Sequence, residues 1–112
     1  MSEGDVGLNA LFSLRQGTIE EDFFSALRIF YQHLHDIGYA CGYRCLKRLP
    51  LAGFGHNLPD FDYQVIIEFA DAEAEAACYD YVRKNQEPVR SLHLAMNSKV
   101  AEGAQFYLTA SR

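Results

Sequence analysis

A chain of 112 residues, 49% of them hydrophobic, is sized for one domain with its own core, which excludes a disordered chain or one that needs disulfide staples. Asp and Glu outnumber Lys and Arg by 15 to 10, giving a net charge of −5, and this excludes a generic nucleic-acid backbone binder, which needs a basic face. No run approaches the roughly 18 apolar residues of a membrane span. Met1 to Gly7 lacks the basic and apolar segments of a signal peptide, so a cytoplasmic protein is expected, with residues 1–7 as a flexible tail.

From Leu8 to Arg15 polarity alternates, with Leu8, Ala10, Phe12 and Leu14 on one face. That period of two predicts a half-buried strand. Thr18 and Glu21 have capping-box spacing, with Thr18 as the N-cap. Ile19, Phe23, Leu27, Phe30, Leu34 and Ile37 then recur every three or four residues, which predicts an amphipathic helix. Gly38 stands where a left-handed residue would end it.

Tyr39 to Leu49 reads as a second strand. Pro50 to Asp60 holds Pro50, Gly53, Gly55, Asn57 and Pro59, all turn formers. Asp62 to Phe69 is a third strand with Tyr63, Val65, Ile67 and Phe69 on its apolar face. Asp71 is a suitable N-cap for a second helix carrying Ala74, Ala77, Cys78 and Tyr81 as its stripe. Pro88 opens a short third helix with Val89, Leu92 and Met96 aligned. A last strand runs from Ala104 to Ala110, with Phe106 and Leu108 on one face and Gln105, Tyr107 and Thr109 on the other.

The order β-α-β-β-α-(α)-β is the ferredoxin-like pattern of the α+β class. It places helices on one face of a four-stranded antiparallel sheet. The opposite face carries Asn9, Leu11, Ser13, Arg15, Arg44, Leu46, Arg48, Gln64, Ile66, Glu68, Gln105, Tyr107 and Thr109. Leu11, Leu46, Ile66 and Tyr107 form a greasy patch ringed by polar groups. A homodimer packing sheet to sheet accounts for that mixture better than solvation does.

With its long first helix, its glycine- and proline-rich connection between the middle strands and its extra helix before the last strand, the chain resembles the dimeric α+β barrel superfamily from about Leu8 to Ala110. An arginine-bearing second strand after a glycine (Gly42, Arg44, Arg48) resembles its small uncharacterised bacterial members. The resemblance implies a homodimer with a cavity on the polar sheet face. It also implies a range of activities, from cofactor-free monooxygenases of aromatic substrates to haem-degrading and stress-responsive proteins. Fold does not select among these.

Several residue types on that face carry chemistry. Guanidinium groups at Arg44 and Arg48 suit carboxylate or phosphate capture, and Arg44 can alternatively pair with Glu68. A small anionic or aromatic ligand would be lined by Arg44, Arg48, Gln64, Glu68 and Tyr107, under a lid formed by Gly53 to Asn57. The enzyme alternative is a cofactor-independent monooxygenase or isomerase with Glu68 or His56 as base. The bland alternative is an interaction module with no cavity. His33 and His35 lie two apart on a helix and diverge, and His93 reads as a surface histidine. Cys41 and Cys45 would stand about 13 Å apart on a strand, too far for a disulfide. All three cysteines read as apolar fillers. No close-spaced Cys/His pairs mark a metal site, and no cofactor or nucleic-acid partner is expected.

Overall fold

The computed structural model describes residues 5–51 and 60–112. Along the chain lie β1 (Val6–Phe12), α1 (Glu20–Asp36), β2 (Gly42–Lys47), β3 (Tyr63–Phe69), α2 (Ala72–Arg83), α3 (Val89–Asn97) and β4 (Gln105–Ala110). The strands form one antiparallel sheet in the order β2-β3-β1-β4. This is the ferredoxin-like topology. The two central strands, β1 and β3, alternate inward and outward as their sequences require.

The first strand begins earlier than its polarity suggested. Val6 and Gly7 belong to β1, paired with Phe69 and Glu68 on one side and Ala110 and Thr109 on the other, so neither is part of a tail; residues 1–4 of the expected tail lie outside the described residues. Gly7 sits in a crowded place: a Cβ there would come within 2.9 Å of the Thr109 hydroxyl and 3.1 Å of the Ile66 side chain, so one of them would have to move.

Helix α1 buries Phe23, Leu27, Phe30, Tyr31 and Leu34. Ile19 and Ile37, at the ends of the expected stripe, are exposed. Thr18 does not cap the helix. Ile19 holds the N-cap position without a side-chain bond, and the Thr18 N–H, to which Glu21 would reach back in a capping box, closes a turn onto the Arg15 carbonyl at 3.0 Å instead. Glu20, Glu21 and Asp22 occupy the first turn instead and suit its positive end. At the other end Gly38 adopts φ +90°. The Gly38 and Tyr39 N–H groups donate to the carbonyls of His35 and Leu34 at 3.0 and 2.9 Å, a Schellman termination.

Asp71 caps α2, accepting from the Ala74 N–H at 2.8 Å. Helix α3 packs on α1, anchored by Val89, which is fully buried. His33 Nε2 and the Tyr81 hydroxyl, 2.7 Å apart, tie α1 to α2. Glu20 joins α1 to the sheet by accepting from the Tyr63 hydroxyl at 2.5 Å and Lys47 Nζ at 2.9 Å. Both bonds hold its carboxyl below the usual range, the tyrosine's contribution being the larger.

Two expectations about apolar side chains do not hold. Phe106 and Leu108 are in register with Ala10 and Leu8 on the helix side of the sheet. They nevertheless stay 62% and 55% exposed. β4 is an edge strand, and the helices lie over β1 and β3 rather than over it. Likewise Cys45, expected as a filler, is exposed on edge strand β2, whereas Cys78 is buried.

Candidate functional site

The strand register brings the polar residues of the outer sheet face together. Asn9 stands opposite Ile66 and Tyr107, Leu11 opposite Gln64 and Gln105, and Arg44 opposite Ile66. Asn9 is the one buried polar side chain among the described residues, at 2% exposure. Its amide donates to the Thr109 hydroxyl at 3.0 Å and the Gly7 carbonyl at 3.3 Å. Its oxygen accepts from Gln64 Nε2 at 3.0 Å, and that same nitrogen lies 3.3 Å from the Tyr107 hydroxyl. The result is a hydrogen-bonded ladder across β3, β1 and β4.

The sequence-derived candidates divide on this surface. Gln64 and Tyr107 meet directly. The Glu68 carboxylate lies over Gly42, 3.6 Å from where a Cβ would sit, and among the described residues no ion pair joins it to Arg44. Arg48 lies just past β2, its guanidinium stacked on the Phe61 ring at 4.8 Å and donating to the Phe61 carbonyl at 3.2 Å. His56 and the Gly53–Asn57 segment lie outside the described residues.

A larger concavity lies on the opposite side of the sheet. A cleft of about 740 Å³ opens between the inner sheet face and the helices, with Phe12, Phe23, Phe30, Phe69 and Phe106 in its walls. None of Arg44, Arg48, Gln64, Glu68 or Tyr107 lines it. It exists because α3 rests on α1 and leaves the inner face of β4 uncovered. Its ionisable or polar lining comprises Glu75, Cys78, Tyr79, Arg83, Asn85, His93 and Asn97.

Two of these groups have perturbed acidities. Burial, reinforced by the nearby Glu75 charge, pushes the Cys78 thiol up to about 11, which keeps it protonated and unreactive. Burial alone lowers the pKa of His93. The His93 ring packs against Phe30, centroids 5.4 Å apart. Reading His93 as a surface histidine missed this position. The available signal was its spacing: it falls four residues after Val89 and three before Met96, on the stripe of α3 that faces inward.

The lowered pKa carries a pH dependence. Unfolded, the imidazole takes up a proton near its ordinary value of 6.5; folded, it does so only at lower pH. Below that value the unfolded chain binds more protons, so stability falls as the pH drops. Urea titrations at pH 7.5 and 5.5 are expected to show this loss in the unmodified chain and a smaller one in His93→Phe. The window lies above the range in which the lowered carboxyls of Glu20, Asp36 and Glu87 titrate. Equal losses in both proteins would remove His93 as the cause.

Among the described residues no group of three or more His, Cys, Asp or Glu side chains converges as a metal site, and no helix is long and apolar enough to cross a membrane.

A family model described as a family of unknown function (DUF6614) matches residues 8–108. No curated protein matches the sequence. Among solved structures, the cofactor-independent oxygenase SnoaB from Streptomyces nogalater superposes with a TM-score of 0.66 at 13% identity, over 96% of this chain and 92% of that one. The Arabidopsis thaliana protein At3g17210 gives 0.70 at 11%, over 96% and 95%. A dimeric ferredoxin-like protein of unknown function from Jannaschia sp. CCS1 gives 0.65 at 9%, over 95% and 98%. At these identities the likeness is one of fold.

Proposed function

The chain belongs to this family of unknown function (DUF6614), and we propose that it is a homodimer whose subunits pair through the outer sheet face and each take up a planar, largely apolar small molecule in the cleft between sheet and helices. The observation that carries the ligand half is the cleft: about 740 Å³, within the size range of small-molecule sites, apolar in its lining and with the Phe106 ring exposed in it. Aromatic rings favour offset or edge contacts with another ring, which suits a planar aromatic guest.

Pairing is supported by the greasy centre of the outer face and by dimeric ferredoxin-like neighbours. Leu11, Leu46, Ile66 and Tyr107 together make a patch that a partner copy would cover. Arg44, Arg48, Gln64, Glu68 and Tyr107, which by sequence alone suit a ligand, then belong to the interface or its rim. Gln64 and Tyr107 already satisfy each other and Asn9, as preorganised interface groups do. In this reading neither Glu68 nor His56 is asked to act as a base.

The test of the cleft uses N-phenyl-1-naphthylamine, a neutral dye dark in water and bright in apolar surroundings. Saturable fluorescence is expected, together with a raised unfolding midpoint; at about 100 times Kd the ligand adds about 2.7 kcal/mol. Ala10→Phe places a ring on the cleft floor and is expected to abolish both effects. Absence of saturable binding to the unmodified chain, or undiminished binding to Ala10→Phe, would refute the ligand reading.

A further inference from the structure

We propose that His93 is the polar anchor of the cleft and selects a neutral aromatic molecule bearing a hydroxyl group. This rests on the reading of the cleft as a ligand site and goes further, to the chemical class of the ligand. The cleft that His93 lines is chiefly carbon: Phe30, Leu34, Val65, Met96 and Val100 line the same cavity. In such surroundings a single hydrogen-bonding group decides which guest is accepted, because a guest's own polar atom costs about 1–3 kcal/mol to bury without a partner.

His93 is available for that role. Its ring packs at a tilt of 58° on Phe30, and among the described residues no protein group hydrogen-bonds to its nitrogens. The other histidine held between helices, His33, is by contrast bonded to Tyr81 at 2.7 Å. Neither ring nitrogen of His93 is therefore committed to another of the described residues. A neutral imidazole offers one donor and one acceptor. A hydroxyl donates to the unprotonated nitrogen, which an ether oxygen cannot do.

Charge argues for a neutral guest. Among the described residues Arg83 is the one Lys or Arg in the lining, and it sits on exposed surface at the end of α2 beside Asp80, 3.5 Å away. An anion deep in the cleft would need an imidazolium, and burial of His93 opposes that form. Asn97, one turn beyond His93 on α3, also lines the cleft and supplies an amide for a second oxygen on a larger guest.

The test compares naphthalene, 2-naphthol and 2-methoxynaphthalene as probes, titrated by their own fluorescence. The unmodified chain is expected to bind 2-naphthol at least about tenfold more tightly than either of the others, a difference equivalent to about 1.4 kcal/mol. His93→Phe should keep naphthalene binding and lose the preference. His93→Gln, which retains a donor and an acceptor, should restore part of it. No preference in the unmodified chain, or an undiminished preference in His93→Phe, overturns the role of His93 while the cleft still binds naphthalene. Failure of all three probes to bind overturns the cleft reading itself. The methoxy comparison needs no variant, so the inference stays exposed to refutation even if His93→Phe folds poorly.

Discussion

Leu11→Asp is expected to sediment as a monomer at micromolar concentration, where the unmodified chain sediments as a dimer. Leu11 lies on the outer sheet face, flanked in register by Gln64 on β3 and Gln105 on β4. Those neighbours are neutral, so an aspartate there has no cation beside it. Sheet-to-sheet pairing would bury that carboxylate unpaired, which costs several kcal/mol for each copy. The two-fold symmetry of a homodimer doubles the penalty, since the same substitution enters the interface twice. Within the monomer the side chain points away from the core, so far-UV circular dichroism should be unchanged. A monomeric unmodified chain, or a Leu11→Asp variant that still pairs, would rule out the outer face as the interface.

Phe23→Ala should lower stability by about 3–5 kcal/mol, the usual cost of removing a buried aromatic ring. Phe23 is 2% exposed, and its ring lies 5.1 Å from both Phe12 and Phe24. It joins the first strand to the first helix. A loss of that size follows from the cavity its removal would leave between strand and helix. For a domain with about 5–15 kcal/mol in total, this is a large fraction. Urea unfolding is the appropriate measurement, with a lowered midpoint at unchanged slope. Ile29→Ala, on the exposed side of the same helix, is the comparison and should change stability by less than about 0.5 kcal/mol. Similar losses at the two positions would contradict the assigned packing.

Features that depend on a few consecutive residues are legible in the sequence alone. Gly38 marks the end of α1 because a residue without Cβ enters the left-handed region at little cost, and it does so here at φ +90°. Asp71 caps α2 because a short carboxylate reaches the N–H three residues on. Strand alternation places Arg44, Gln64, Glu68 and Tyr107 on a common face, and the register agrees that they share it. Thr18 shows the weakness of the same kind of argument. Its spacing to Glu21 suits a capping box, but a backbone turn onto Arg15 engages the Thr18 N–H, and the helix starts one residue later, with Ile19 at the N-cap.

What this sequence determined by itself is therefore the set of elements, their order, and which side chains share a face. Periods of two and of 3.6 are local properties of a strand and a helix, and they survive into any tertiary arrangement. Only the tertiary structure decided where the room for a ligand lies. The same apolar stripes are compatible with helices drawn over β4 or held back from it. The packing of α3 on α1 left Phe106 and Leu108 uncovered and opened the cleft. That choice also moved His93 from an expected surface position into an apolar wall. The distance between two packed layers depends on how whole side chains fit across them, and no local spacing along one chain encodes it.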